Sequence, residues 1–354
     1  MRLNTYGYNI RYNLPSFKNF ETVVGVQGIY QTNKNLGEEI LIPDAITNDF
    51  GLMATTHYHL DKISLQGGIR FDTRALKSEE VGVISQQDYI ASIDKNFNSF
   101  NAALGVKIDL LENFYARINL ASGFRAPNLA ELASNGVHEG TNRYEIGNAD
   151  LNNEQNFQID TSLEFKNEHF EVFANVFYNH INQYIFIEPT HQIINDYLVY
   201  RYTQDDAKLY GGEFGIHLHP HPFDWLHLNS NYEFVIGKQD NGNYLPLIPA
   251  HKLTNTLRAE FDNTKKLENG FIAITLETNL KQDQLSEFET PTTSYNLINI
   301  GAGGSIKLSN IQLDINLNVN NAFDTKYTSH LSRLKANGIL NIGRNFIASL
   351  KFSL

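Results

Sequence analysis

The sequence predicts an all-β fold, a transmembrane antiparallel β-barrel, from three observations: residue periodicity, strand length and the spacing of the connections. Apolar and polar residues alternate over long stretches, as in a strand with one apolar and one polar face. About fifteen such segments of roughly 10–14 residues are present. Strands in soluble sheets average about 5–6 residues, so the segments are long enough to cross a bilayer.

The alternation is clearest in the second half of the chain. Between Leu313 and Val319, Leu, Ile and Val alternate with Asp and Asn. The same pattern occurs over residues 157–165, 214–218, 253–261 and 272–280, and the last segment, 346–354, has one apolar face. So many long strands would require a very large soluble core. In a barrel, the apolar face contacts lipid and the polar face lines a wet lumen.

Composition excludes several functional classes. The 354 residues include no cysteine, which excludes cysteine-ligated zinc and thiol catalysis. The formal net charge of −11 opposes nucleic-acid binding, which requires basic patches. No run approaches the roughly 18 apolar residues of a membrane helix. The tyrosine and phenylalanine content, 18 and 23 residues, suits strands.

The connections between the predicted strands alternate in length. The short ones are Leu14–Asn19, Leu60–Lys62, Leu110–Asn113, Lys166–His169, His219–Asp224, Leu308–Asn310 and the somewhat longer Asp262–Asn269. The long ones are Thr32–Asn48, Thr73–Asn96, Gly123–Asn152, Glu188–Asp206, Lys238–Ala250, Gln282–Thr293 and Asn321–Asn341. Short periplasmic turns and long extracellular loops are typical of bacterial outer-membrane barrels.

The order of the connections predicts an incomplete barrel. The first connection is short, so the first strand runs toward the periplasmic side. A bacterial barrel has an even number of strands, and we expect both of its ends in the periplasm. The sequence therefore predicts one domain over residues 1–354, with about 14–15 strands of an expected total of about 22 and with upstream strands outside the chain.

Two segments carry a family resemblance. The first spans residues 121–165 and the second residues 318–354. Their motif residues are Arg125, Ala126, Pro127, Leu129, Glu131, Gly147, Asn148, Leu151 and Glu154, then Asn321, Phe323, Asp324, Tyr327, Gly343 and Arg344. In these motifs the chain resembles the C-terminal barrel part of TonB-dependent outer-membrane receptors. Such receptors usually end in an aromatic residue, whereas this chain ends in Leu354.

The resemblance implies a function and its partners. It implies energised uptake of a scarce nutrient, such as a ferric siderophore, haem or zinc, and less readily a vitamin or glycan. The expected setting is the outer membrane of a Gram-negative bacterium, with a monomeric barrel in lipid and no resident cofactor. A TonB-type energising complex would act through a plug domain and its TonB box. Neither is found in the sequence, so the chain alone is not expected to transport.

Other functions remain open at this stage. A passive porin-like channel is the main alternative, followed by a barrel-embedded hydrolase or an adhesin. We expect no enzyme, because the sequence contains neither GxSxG nor HExxH. The glycine-rich stretch at 301–304 lies within a predicted strand and lacks the strand–turn–helix context of a phosphate loop.

One long loop supplies the first candidate ligand site. It contains His138, Glu139, Arg143, Tyr144 and Glu145, and it resembles the corresponding stretch of receptors in the zinc- and haem-uptake subgroup. Histidine is the commonest metal ligand and also binds haem iron. His138 is therefore the candidate metal ligand, and the alternative is an ordinary loop without a ligand.

A second long loop, which also contains Tyr197 and Tyr202, adds His191, Tyr200 and Arg201 to the candidate site. Aromatic side chains with an arginine can stack on or pair with an anionic chelate. The alternative, which we favour, is the aromatic girdle at the membrane interface.

Histidines are densest in the segment HLHPHP. Alternation places His217 and His219 on one face, with His221 and His227 nearby, so joint metal binding is sterically feasible. The segment lies at a predicted periplasmic turn, far from the entry side. We therefore favour plain turn residues over a metal site; the same holds for His57 and His59.

Charged strand residues are expected to form the polar wall of the lumen and to contact the plug. They are Arg117, Arg125, Arg258, Glu260, Glu277 and Lys281.

Overall fold

The computed structural model describes residues 1–36, 40–261, 267–308 and 311–353. In this part of the chain it forms one 17-stranded sheet. Fifteen of the strands are long, which confirms the predicted number, and two are short strands within one long connection. The long strands are β1 (Arg2–Asn13), β2 (Phe20–Lys34), β3 (Ala45–His59), β4 (Ile63–Ser78), β5 (Ile93–Leu111), β6 (Phe114–Arg125), β9 (Glu154–Lys166), β10 (Phe170–Ile194), β11 (Tyr197–Leu218), β12 (Leu226–Gln239), β13 (Lys252–Phe261), β14 (Glu268–Asn279), β15 (Tyr295–Leu308), β16 (Ile311–Asn320) and β17 (Asn345–Ser353).

The long connection between β6 and β9 contains its own small elements. They are helix α1 (Leu129–Ala133), strand β7 (Asn135–His138), a 3₁₀ turn (Glu139–Thr141) and strand β8 (Arg143–Ile146). In the part of the chain that the structure describes, no helix has the length and apolarity needed to span a bilayer.

The sheet is an antiparallel meander of barrel type. Each long strand pairs with the next along the chain, and β6 pairs with β9 across the intervening loop. The one parallel pairing among the described strands joins β8 to β11, where Tyr144 lies opposite Val199 and Ile146 opposite Arg201. This pairing attaches the long loop to the main sheet.

The two faces of the sheet differ as the alternation predicts. Large apolar side chains such as Phe71, Phe100 (64% exposed) and Ile118 lie on the exposed face. Charged pairs lie on the other face, where Arg74 Nε is 2.7 Å from Asp49 Oδ1. Because apolar residues are exposed and ion pairs are partly buried, the arrangement is opposite to that of a soluble sandwich and suits lipid outside.

The connections sort the sheet into two ends. The short-turn end comprises the connections 14–19, 60–62, 112–113, 167–169 and 219–225; the long-loop end comprises 79–92, 126–153, 240–251, 280–294 and 321–344. The predicted short turns at 262–269 and 308–310 lie largely outside the described residues. The other predicted short turns are confirmed.

The prediction of a loop over 188–206 is wrong. Strands β10 and β11 continue through it as a paired hairpin that turns at Asn195 and Asp196. Both turn residues have positive φ, 51° and 66°, as a two-residue type I′ hairpin requires. The alternation was obscured by irregularities near Gln183 and His191, which also have positive φ and accompany register shifts in the ladder.

The long loops pack into a small core of their own. Leu76, Ile93 and Phe97 from strands β4 and β5 contact Leu132 of α1 and Leu151. Leu76 and Leu151 are almost completely buried. The long-loop end is therefore a folded platform rather than a set of free loops.

Candidate functional site at the long-loop end

Arg125 joins three elements of this platform. Its guanidinium donates two hydrogen bonds to Glu154 at the start of β9, at 2.6 and 2.9 Å. It donates two more to Glu131 in α1, at 2.7 and 2.8 Å. Both carboxylates are mostly buried, with side-chain exposures of 11% for Glu131 and 10% for Glu154. We call these three residues the arginine clamp.

Local sequence fixes the helix that carries Glu131. Asn128 caps α1 and forms a capping box with Glu131, so a helix of five residues begins at a defined position. Gly147 packs against the other end, where an added Cβ would come within 2.5 Å of the Ala133 nitrogen. The Asn148 N–H donates to the Glu131 carbonyl at 2.8 Å. The motif residues around Arg125 thus have a structural role.

Glu145 is the centre of a second polar cluster. Its Oε1 lies 2.9 Å from His138 Nδ1 and accepts a hydrogen bond from Arg143 Nε at 2.8 Å. The Tyr202 hydroxyl donates to Oε2 at 3.2 Å. Burial opposes ionisation of Glu145, but the bonds from His138 and Arg143 outweigh it and hold the pKa of this carboxyl below its usual value.

The strand pairing positions the groups around this cluster. Tyr144 is buried, and its hydroxyl donates to Asn135 Oδ1 at 2.9 Å. Tyr200 lies opposite Glu145 in the parallel β8–β11 pairing, and its ring stands 4.9 Å from the Arg143 guanidinium carbon. A cation over an aromatic face is a stabilising contact. Tyr144 therefore anchors the hairpin, whereas Arg143 and Tyr200 form a surface that a planar or anionic ligand could contact.

The remaining residues predicted for this site are placed as follows. His191 is exposed near the tip of the β10–β11 hairpin, and its ring centroid is 5.5 Å from that of Phe288. Arg201 is exposed, and none of the described residues pairs with its guanidinium. The side chain of Glu139 lies outside the described part of the chain.

His138 offers at most one ligand atom to a metal. Glu145 engages Nδ1, which leaves Nε2 for an incoming atom, and a carboxylate on the far nitrogen is the usual way to orient a ligating histidine. Among the described residues, groups of three or more potential ligands do not include His138. A single imidazole suits an axial position on haem iron or a transient contact better than a closed zinc site.

Register places the predicted wall residues on the polar face. Arg117 lies opposite Ser162 and within 3.8 Å of Glu164. It helps to line a groove of about 620 Å³ with Asn175 and Glu233.

Further along the sheet, Arg258 Nε donates to Glu260 at 2.8 Å. Glu277 lies opposite Thr254, on the same face. Lys281 was predicted as a strand residue of the wall, but β14 ends at Asn279. Lys281 lies in the following loop, where its Nζ is 2.9 Å from Asp283 Oδ2.

The second motif also has a structural role. Asn321 accepts from the Thr325 N–H at 2.8 Å and donates to its carbonyl at 2.9 Å, which closes the loop after β16. Asp324 accepts from the Arg344 N–H at 2.9 Å, just before β17. Tyr327 packs on Tyr295, with ring centroids 4.6 Å apart.

Sequence reasoning missed the carboxylates at the centres of both clusters. Glu131 and Glu154 were recognised only as motif residues, and Glu145 and Tyr202 only as members of the two candidate loops, without the contact between them. The capping-box spacing of Asn128 and Glu131 was a usable signal. The contacts of Glu145 with Tyr202 depend on the parallel β8–β11 pairing, which has no local signal.

Comparison with known proteins identifies the family. Residues 2–322 match the family model described as TonB dependent receptor-like, beta-barrel. Among solved structures, the copper transporter OprC is similar at 16% identity and a TM-score of 0.80, over 98% of this chain and 56% of that one. The FrpB iron transporter from Neisseria meningitidis (F5-1 variant) follows at 15% and 0.72, over 98% and 55%.

The ferric-catecholate import receptor Fiu from K12 E. coli matches at 17% identity and a TM-score of 0.64, over 98% of this chain and 54% of that one. The chain thus spans little more than half the length of these structures, and at such identities the likeness shows the fold alone. The family match rests on the model itself, which covers most of the sequence. The chain belongs to the family of TonB-dependent receptors and matches their β-barrel domain.

Proposed function

We propose that the chain forms β-barrel strands of an outer-membrane receptor. The receptor binds a scarce, metal-containing nutrient at its long-loop end and takes it up with energy from the inner membrane. The observation that carries the proposal is the folded platform over residues 126–153. The arginine clamp and Glu145 hold it in place. A packed and paired platform holds ligand groups such as His138 and Arg143 in fixed positions, as a binding site requires.

The chemistry of the platform favours an anionic chelate or haem as the ligand. Arg143 lies over the ring of Tyr200 on one face of the β8–β11 pairing. Arg201 supplies an exposed, unpaired cation among the described residues on the other face. His138 keeps one ring nitrogen for a metal. The similar structures are named for copper, iron and ferric-catecholate transport, which supports a metal-containing ligand for this chain as well.

The polar face is the proposed wall of the transport path. Arg117, Arg258, Glu260 and Glu277 would face the lumen and meet a plug domain through hydrogen bonds and ion pairs. Several of these residues already pair along the sheet, as Arg258 does with Glu260. Exchange of such pairs for contacts with the plug would cost little free energy, because exposed ion pairs contribute only about 0–1 kcal/mol.

Uptake assays test this function. The complete reading frame is expressed in a Gram-negative host that lacks its own ferric-chelate receptors, and uptake of a radiolabelled ferric catecholate and of haemin is measured. We expect accumulation of one of them, abolished by a protonophore. Uptake that persists with the protonophore would support a porin-like channel instead.

A variant pair tests the ligand surface. Arg201→Ala should weaken ligand binding by about tenfold, as expected for loss of one charge-assisted contact. Lys77→Ala removes another exposed cation, whose Nζ is 3.0 Å from Asp94, and should leave binding unchanged. Equal binding by both variants would show that Arg201 is not part of the site.

A further inference from the structure

Five histidines from two neighbouring turns lie close together at the short-turn end of the sheet. The loop platform is at the other end of the strands. One comes from the turn between β9 and β10, three from the end of β11 and the turn that follows, and one from the start of β12. They are His169, His217, His219, His221 and His227. The proposed uptake function uses none of them.

Backbone hydrogen bonds fix the two turns against each other. The His219 N–H donates to the His169 carbonyl at 3.0 Å, which extends the β10–β11 pairing by one step. Asn167 accepts from the N–H groups of His169 and Phe170, at 3.0 and 2.8 Å. The histidines are therefore held together by main-chain geometry that needs no ligand.

The ligand atoms of His169, His219 and Asp224 all lie within 4.8 Å of one another. His169 Nδ1 is 3.5 Å from Asp224 Oδ1. Zinc–nitrogen and zinc–oxygen bonds are about 2.0–2.2 Å long, so tetrahedral ligand atoms lie roughly 3.4 Å apart. Small side-chain rotations would bring the three atoms onto one ion.

A fourth ligand is close to this group. His221 Nδ1 lies 3.0 Å from Asp224 Oδ2, on the same turn. His221 is 73% exposed and Asp224 52% exposed, so both side chains can turn toward an ion without disturbing a core.

Two further histidines support the group from the polar face. His217 Nε2 is 3.0 Å from His227 Nδ1, and the rings of both lie about 5 Å from that of His219. His227 Nε2 is 3.6 Å from Glu260 Oε2. The rings of His217 and His227 therefore pack beside the ring of His219 and restrict its orientation.

We propose that His169, His219 and Asp224, with His221 as the fourth ligand, bind one divalent transition-metal ion of the Zn²⁺ or Cu²⁺ type. Imidazole with one carboxylate suits these ions, whereas Mg²⁺ and Ca²⁺ prefer oxygen ligands. The ion would connect the two turns across the β10–β11 hairpin. The site does not depend on which nutrient the receptor takes up.

The chain offers a matched control for this site. His57 and His59 also lie on one face at a short turn, with ring centroids 6.3 Å apart. The partner of the His59 ring among the described residues is Ser64 Oγ, 3.4 Å from Nδ1, and neither imidazole pairs with a described carboxylate. This pair tests whether two exposed histidines suffice for binding.

Titration of the full chain in detergent, purified without a polyhistidine tag, tests the proposal. We expect one equivalent of Zn²⁺ or Cu²⁺ to bind by calorimetry, and nitrogen hyperfine splitting in the Cu²⁺ electron paramagnetic resonance spectrum. The double variant His169→Ala/His219→Ala should weaken binding by about tenfold or more. The control His57→Ala/His59→Ala should bind as the unchanged protein does.

The exposed ligands provide a second test that does not rely on the fold of the double variant. Asp224→Asn and His221→Ala should each weaken binding several-fold and reduce the nitrogen or oxygen coordination seen in the spectrum. The proposal is overturned if these variants bind normally, or if the control pair loses as much affinity as the site variants.

Discussion

The two ends of the sheet are stabilised in different ways. At the long-loop end, buried carboxylates hold helix α1 and the β7–β8 hairpin through arginine, histidine and tyrosine side chains. At the short-turn end, main-chain hydrogen bonds close the turns, as between Leu60 and Ile63 at 2.8 Å. Side chains thus hold the long-loop end together, where Arg201 and one ring nitrogen of His138 stay available for a ligand. At the short-turn end the main chain holds the turns, so their histidines stay available.

Arg125 should show the largest effect of any single residue at the long-loop end. Arg125→Ala leaves Glu131 and Glu154 mostly buried without their cation, which costs about 3 kcal/mol. Hydrogen exchange at the Leu132 and Asn148 amides should quicken by roughly 100-fold, because both bond within the clamped loop.

Arg117→Ala is the control for this change. Arg117 is 48% exposed and pairs with Glu164 at 3.8 Å, so its removal should cost less than about 1 kcal/mol. Equal exchange rates in the two variants would contradict the distinction between a buried clamp and an exposed wall.

Glu145 should rank second. Glu145→Gln keeps the shape of the side chain but removes the charge that His138 and Arg143 share, at an expected cost of about 2 kcal/mol. Exchange at the Tyr144 and Arg201 amides reports the loss, because these residues lie in the β8–β11 pairing. Glu164→Gln, on the polar face, should leave the same amides unchanged.

Glu289 should make one region of the long-loop end sensitive to acid. Burial opposes its ionisation, but His330 and hydrogen bonds from Leu247 and Ser286 outweigh it and lower its pKa to about 2. His330 Nε2 lies 3.4 Å from Glu289 Oε1, without the alignment of a hydrogen bond.

A lowered folded pKa gives stability that is present above the ordinary value of about 4.5 and is lost as pH falls toward 2. The loop 280–294 should therefore lose on the order of 1–2 kcal/mol of protection in that window. Hydrogen exchange of the loop amides across pH 2–5, in the wild type and in Glu289→Gln, checks this expectation. The protection of the variant should show a flat profile over the same window. A wild-type profile as flat as the variant's would refute the prediction.

The smallest expected effect is at the hairpin turn. Asp196 has a φ of 66°, so Asp196→Gly should stabilise the tip by about 0.5–1 kcal/mol, because glycine adopts this conformation without a steric cost. Slower exchange at the Leu198 amide would show it. Asp196→Val should act in the opposite direction.

The strands were predictable because lipid and water impose a period of two on every crossing segment. The number of long strands and the two faces followed from that period, and most short turns followed from the spacing of the connections. The β10–β11 hairpin did not, because positive φ at Gln183 and His191 interrupts the alternation where the strands leave the apolar zone.

The candidate site was predictable only as a region. His138, Arg143 and Tyr200 do meet, but the carboxylate that joins the first two is Glu145, which the sequence placed in the loop without indicating this contact. Contacts of this kind arise from pairing between distant segments, and residue spacing carries no information about them. The same holds for His169, which reaches His219 only through the β10–β11 register.

The length of the β10–β11 hairpin has a practical consequence. Strand β10 has 25 residues, whereas about 9–11 suffice to cross a bilayer. At about 3.3 Å per residue, the strand is some 80 Å long. An epitope inserted between Asn195 and Asp196 would be displayed well clear of the lipid. Antibody binding to this epitope would then measure the number of receptors on intact cells.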